Sequence, residues 1–256
     1  MADRDICQSR GSLTAVVSSH PHNSKTAIVT GAGSGIGRAL ALQLGTDGYH
    51  VVLVSRTESS LRETASAFAD PATAMVSVAD WSKSDQIKTV LDRTLEYFGG
   101  IDLVANVAGM ASLVPIEQVT AELWRDCVDS NLSTIVLSTA AVWPIFKKQG
   151  SGLIVNISSM ASFDPFPGLD IYGAAKVAVN LFTRSTARHG AEIGVRAVCI
   201  APGAVETPML RGLFGLDQIP RAKTLTPEQV ASTICDCITG YRAFESGETI
   251  QLPSPA

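Results

Sequence analysis

Short apolar runs rich in β-branched residues recur along this chain, and each one before the last is followed by a stretch of helical spacing. The runs lie at 26–30, 51–55, 74–78, 101–107, 152–158, 195–200 and 249–252. They are continuous rather than alternating, which marks strands buried on both faces. Helices are predicted from the glycines after the first run through Leu44, over 61–68, and over 84–98, where Ile87, Val90, Leu91 and Leu95 share a face. Further helices are predicted over 121–148 with a bend near Pro144, from Tyr172 to about residue 192, and over 227–239, opened by Thr226. Such an alternation leaves few folds. The expectation is an α/β, Rossmann-like doubly wound parallel sheet of about seven strands with helices on both faces.

A chain of 256 residues is long enough to make this sheet in one piece. No repeat, linker or low-complexity segment interrupts residues 25–256, which read as a single domain. Residues 1–24 read as a flexible tail, because Asp3 and Asp5 and a short apolar run do not suit a secretory signal. Hydrophobic residues make up 46% and charged ones 17%, a balance that supports an extensive core and excludes a disordered chain. A net charge of -4 and scattered lysines and arginines give no footprint for nucleic acid or an anionic membrane. No apolar stretch is long enough to span a bilayer. Cys7, Cys127, Cys199, Cys235 and Cys237 are odd in number and irregular in spacing, which suggests reduced thiols and a cytoplasmic protein. Cys235 and Cys237 would point apart on a helix, and of the four histidines His20 and His22 lie in the tail, so no metal site is expected.

The first strand runs into Thr30-Gly31-Ala32-Gly33-Ser34-Gly35-Ile36-Gly37, which opens a helix. Glycines let backbone approach a pyrophosphate, and the free amides of a helix N-terminus attract its charge. The second strand ends in Ser55-Arg56, where an acidic residue would otherwise hold the ribose 2′-hydroxyl of NAD. A hydroxyl and a guanidinium instead suit a 2′-phosphate, so the expected cofactor is NADP(H).

Tyr172 and Lys176 stand four positions apart on a predicted helix, hence on one face of it. An ammonium beside a phenol favours the phenolate, so the pair predicts a Tyr172 pKa below the usual value of about 10. Upstream, the strand Leu153-Ile154-Val155-Asn156-Ile157 delivers Ser158 and Ser159 at its carboxyl end, where chemistry gathers in open α/β sheets.

With the glycine turn, Ser159 and Tyr172-x-x-x-Lys176 in this order, the chain resembles the short-chain dehydrogenase/reductase family from about residue 25 to residue 252. The resemblance implies hydride transfer between nicotinamide and a carbonyl or secondary alcohol, with Tyr172 as general acid/base. Ser159 would orient the substrate oxygen, and Lys176 would ease Tyr172 ionisation and grip the nicotinamide ribose. Asn131 would hold a water linking Lys176 to solvent. It also implies cofactor contacts from Gly31, Ser34, Gly35, Ile36 and Gly37, from Ser55 and Arg56, and from Asp80 to adenine. Further contacts are implied for Asn106, Ala108, Gly109, Tyr172 and Lys176, and for Pro202, Gly203, Val205 and Thr207 near the nicotinamide. Val107 departs from the family's Asn-Asn-Ala-Gly, which predicts weaker hydrogen bonding at that strand end.

The loops expected to choose the substrate carry Met160, Phe163, Phe166 and Pro167, then Met209, Leu210, Leu213 and Phe214. They suit a hydrophobic ketone, with Arg211 as the one candidate anchor for an anionic group. A biosynthetic ketoreductase acting on a ring or polyketide intermediate is the alternative. An NADP(H)-sensing protein without turnover is a third reading, against which the intact Ser159, Tyr172 and Lys176 speak. The small-molecule enzyme implied here would form a homodimer or homotetramer, although the family's Asp-Gly-Gly ending is replaced by Pro253-Ser254-Pro255-Ala256.

Overall fold

Strands β1 (Thr26–Thr30), β2 (His50–Ser55), β3 (Ala74–Val78), β4 (Leu103–Asn106), β5 (Gly152–Ile157), β6 (Val195–Pro202) and β7 (Thr249–Leu252) form one parallel sheet in the order β3-β2-β1-β4-β5-β6-β7. They belong to a computed structural model that describes residues 24–255. The tail expected over 1–24 therefore lies, but for Ser24, outside the described residues, as do Cys7, His20 and His22.

The helices that connect the strands are α1 (Gly35–Thr46), α2 (Glu58–Ala65), α3 (Ser84–Phe98), α4 (Ala121–Val128), α5 (Thr134–Gln149), α6 (Asp170–Gly190), α7 (Pro208–Leu213) and α8 (Pro227–Thr239). The continuous apolar strands divide their side chains between two cores. Ala27, Val29, Val51 and Leu53 pack with Leu40 and Leu44 of α1 and Val230 and Ile234 of α8. Their neighbours Ile28, Val52 and Val54 pack on the other face with Ile87 and Leu91 of α3 and Phe146 of α5. Each Val, Leu, Ile or Phe side chain fully buried here stabilises the fold by roughly 1.5–3 kcal/mol, which is why both faces need helices. The chain builds outward from β1 to β3, then returns to place β4 on the other side of β1. Loops leaving β1 and β4 thus part to opposite faces and open a crevice at the carboxyl ends of the strands.

Several sequence expectations shift. The helix expected over 61–68 starts earlier, at Glu58, and ends at Ala65. The strand expected over 101–107 is confined to Leu103–Asn106, whereas that over 195–200 continues to Pro202. The long helix is interrupted at Asp129–Ser133, where the turn widens to π geometry, and α5 runs through Pro144. The proline and Ala140, whose carbonyl it leaves without an intrahelical donor, are both solvent-exposed, so the lost hydrogen bond is not left buried. Thr226 does open α8, through a reciprocal capping box with Gln229. No helix among the described residues is long and apolar enough to cross a membrane.

Candidate active site

The turn after β1 and the start of α1 form one wall of a cavity of about 430 Å³. Gly35 has φ +51°, and a Cβ there would lie 2.9 Å from Thr207 Cγ2, so the turn requires glycine on both counts. Ser34 precedes α1 without its side chain capping the helix, and the first turn of α1 holds no acidic residue. Its leading amides are therefore left for an anion, and the turn fits a pyrophosphate on this geometry. Across the crevice, Thr30 Oγ1 accepts hydrogen bonds from the amides of Val107 (2.9 Å) and Ala108 (3.0 Å). The strand end is thus tied to β1 through the backbone amides of Val107 and Ala108. Val107 itself lines the cavity, a position its apolar character gave no reason to nominate.

Ser159, Tyr172, Lys176 and Asn131 meet at the floor of the same cavity. The two serines at the end of β5 diverge. Ser158 Oγ is buried and donates to the carbonyl of Lys176 (3.1 Å), whereas Ser159 Oγ accepts from the Ala161 amide (3.1 Å) and stands beside Tyr172. Lys176 is buried, donates from Nζ to the carbonyl of Ile157 (2.8 Å), and lies 5.5 Å from the centre of the Tyr172 ring. The widened turn between α4 and α5 carries Asn131 inward, where Nδ2 donates to the carbonyls of Met110 (2.8 Å) and Cys127 (2.9 Å). A methyl group on Gly109 would come within 2.7 Å of Asn131 Oδ1 and 3.5 Å of Lys176 Nζ, so this glycine keeps a narrow opening between amide and ammonium.

The ionisation of Tyr172 is the reverse of the sequence expectation. Desolvation raises its pKa to about 12, against a smaller lowering by Ser159. The same burial lowers Lys176 to about 8. A cation on the same helix face favours a phenolate, but withdrawing both groups from water penalises both charged forms more. Burial thus keeps the Tyr172 phenol protonated at neutral pH.

Pro202 at the end of β6 and Gly203, Val205 and Thr207 after it line the cavity, as do Gly31, Ile36, Gly37, Ala108 and Gly109. Four nominated cofactor residues are not brought to it. The Asn106 side chain turns into the sheet, donating to Asn156 Oδ1 (2.9 Å) and accepting from Ser138 Oγ (2.8 Å). Its network continues from Asn156 to Thr183 of α6, so Asn106 braces β4 against β5 and α5 below the site. Ser55, Arg56 and Asp80 lie beyond the cavity, at the ends of β2 and β3. Ser55 Oγ is taken up in a local turn with Thr57. Asp80 accepts from the amide and hydroxyl of Ser82, which hold its carboxyl below the usual range with minor help from Lys83 and Arg56. Arg56 is exposed and joins no ion pair among the described residues.

The far wall comes from α7 and the loops around it. Arg211 is not a free anchor: it forms a bidentate pair with Glu206 and donates to the carbonyl of Ile219 (2.8 Å). It pins the loop instead of facing substrate. Phe166 meets Phe214 edge to face, with centroids 5.5 Å apart at 84°. Phe163, by contrast, stands outside the cavity. Ser254 Oγ accepts from the Ala204 amide (2.7 Å), so the segment after β7 steadies the stretch after β6. Asp164 and Leu169 also line the cavity; their only signal in the sequence was proximity to the nominated phenylalanines.

Comparison with known proteins agrees with this architecture. Residues 25–215 match the family model for the short chain dehydrogenase. An uncharacterized oxidoreductase of Staphylococcus epidermidis is 36% identical over 84% of this chain and 91% of its own. A 3-oxoacyl-[acyl-carrier-protein] reductase of Synechocystis sp. is 35% identical over 90% of this chain and 95% of its own. The crystal structure of 3-ketoacyl-(acyl-carrier-protein) reductase from Brucella melitensis complexed with NADH superposes with a TM-score of 0.83 at 29% identity, covering 90% of this chain and 96% of that one. The chain belongs to the short-chain dehydrogenase family of oxidoreductases.

Proposed function

We propose that the protein is an NADPH-dependent carbonyl reductase acting on a hydrophobic ketone, with Tyr172 as its acid. The observation that carries this reading is the meeting of Ser159, Tyr172, Lys176 and Asn131 in one largely apolar cavity that the glycine turn also walls. Bound nicotinamide would supply the hydride that the carbonyl carbon accepts. Tyr172, protonated at neutral pH, gives its proton to the carbonyl oxygen as negative charge develops there. Ser159 donates a hydrogen bond to that oxygen, and Lys176 stabilises the phenolate left behind. Asn131 lies next to Lys176 at Gly109, where a water could carry the replacement proton. In the oxidative direction Tyr172 must first lose its proton, so that direction gains with rising pH.

Ser34, Gly35, Ile36 and Gly37 would hold the pyrophosphate, and exposed Arg56, with Ser55, the 2′-phosphate. Asp80, close enough to Arg56 for its charge to be felt, would hold the adenine end. The test is a carbonyl panel run with NADPH and NADH on the wild type and Arg56→Ala. NADPH should be preferred by about tenfold or more, and the substitution should erase most of the preference, since charge-assisted contacts of this kind supply ~1.5–3 kcal/mol. Equal use of NADH by the wild type contradicts the NADP(H) reading.

A second reading, a ketoreductase on a biosynthetic 3-oxoacyl or polyketide intermediate, draws on the relatives named 3-oxoacyl-acyl-carrier-protein reductases. Thioester substrates in the same panel separate the two. The homodimer or homotetramer implied by the family is supported by exposed Trp124 of α4 and Val177 and Leu181 of α6, and sedimentation tests it. A cytoplasmic location is supported by the four free cysteines among the described residues.

A further inference from the structure

Two charged side chains line the cavity among the described residues, Lys176 and Asp164. Lys176 is buried on the floor with its ammonium committed to the Ile157 carbonyl. Arg211, a base close by, is consumed by Glu206 and the loop carbonyls. Among the described residues that line the cavity, no free base is therefore left to receive an anionic substrate group. Asp164 is exposed at the edge of the cavity and joins no ion pair among the described residues.

The position of Asp164 is set by the catalytic serine. Ser159 Oγ accepts from the Ala161 amide, and its carbonyl accepts from the Ser162 amide (3.0 Å) and hydroxyl (2.6 Å). The next carbonyl, of Met160, accepts from the amides of Phe163 (2.9 Å) and Asp164 (3.0 Å). These bonds hold the Asp164 backbone one tight turn beyond Ser159. Two residues further on, Phe166 lines the cavity against Phe214. A carboxylate and two aromatic rings in one wall provide the two kinds of group that attract an alkylammonium.

We propose that Asp164 is the charge-selecting residue of the site, which biases the cavity toward uncharged and cationic carbonyl compounds over anionic ones. This rests on the carbonyl-reductase reading and names the substrate class within it. The preferred substrate is a ketone whose apolar body lies against Phe166 and Phe214 and whose far end is neutral or carries a substituted ammonium.

Three matched aryl-alkyl methyl ketones test this, their rings bearing a hydrogen, a carboxylate or a quaternary ammonium. Kinetics with NADPH give kcat/KM for each, with the neutral ketone as the reference within each enzyme. The wild type should favour the cationic over the anionic ketone by about tenfold at low salt, with the ratio shrinking as salt is added, because the carboxylate is exposed. Asp164→Asn should bring that ratio close to one, and Asp164→Lys should invert it. An anionic ketone preferred by the wild type, or a ratio unmoved by both substitutions, overturns the proposal. Calorimetric titration of the three ketones into the NADP+-loaded protein separates this from the parent reading. Binding in the stated order without turnover removes the reductase and keeps the role of Asp164. Equal turnover of all three keeps the reductase and removes that role. No binding of any of the three overturns both.

Discussion

The two sides of the cavity are built in different ways. The centre of the side proposed for the cofactor is one local unit, strand β1, its glycine turn and helix α1, paired with β4 in the sheet and tied to the loop after β4 by the hydroxyl of Thr30. The side proposed for the substrate is assembled from segments far apart in the chain. Phe166 follows β5, Phe214 follows α7, and Ser254 follows β7. In the β1 unit backbone would supply the pyrophosphate contacts, so function there is bound to geometry and tolerates few changes. On the substrate side, side chains would supply the contacts, and specificity can be altered without disturbing the fold. Lys176 and Tyr172 sit where the two sides meet.

This contrast can be broken in stages. The largest effect should come at the junction. Lys176, at about 8, loses its positive charge as pH rises through that value, and kcat/KM for ketone reduction should fall about tenfold per pH unit beyond it. The sign follows from the role: the cation that would stabilise the phenolate is present below the pKa and absent above it. A profile that stays flat between about pH 7 and about pH 9.5 would place the controlling ionisation elsewhere.

On the cofactor side, Gly35→Ala forces a side chain into φ +51° and against Thr207 Cγ2. The left-handed conformation costs ~1–2 kcal/mol for a residue with a Cβ, so NADPH Kd should rise by about tenfold while the ketone KM at saturating cofactor changes little. Fluorescence titration of NADPH measures it, and an unchanged Kd means the turn does not hold the pyrophosphate.

On the substrate side a smaller effect is expected. Arg211→Ala frees the loop whose carbonyls it ties at Phe214, Gly215 and Ile219. The ketone KM should rise by about threefold to tenfold with NADPH Kd nearly constant, since lost charge-assisted bonds at a partly exposed site are screened. Equal loss in both constants would show that the two sides are not separable.

The same contrast explains what could be read in advance. The β1 turn was legible because the strand, glycines and helix are contiguous, and Tyr172 and Lys176 because four positions make one helical face. Ser159 was legible as the end of a buried strand. The direction of the Tyr172 shift was not, because it depends on how much water the surrounding elements exclude. The inward turn of the Asn106 side chain is hidden for a related reason: its partners Ser138 and Asn156 come from α5 and β5, and only the fold shows that they take both ends of its amide. The pairing of Arg211 with Glu206, five residues away, is likewise set by the folded loop and not by any sequence pattern. The widened turn at Asp129–Ser133 has no composition signal to rival Pro144, yet it carries Asn131 to the site.

The claim that joins both sides is that the phenol of Tyr172 delivers the proton while the cofactor side remains intact without it. Tyr172→Phe tests this when NADPH binding and ketone turnover are measured on one preparation. NADPH Kd should stay within about twofold of the wild type while kcat falls by about a hundredfold or more, the range of a lost general acid. Turnover near the wild-type level, with the cofactor still bound, would contradict it.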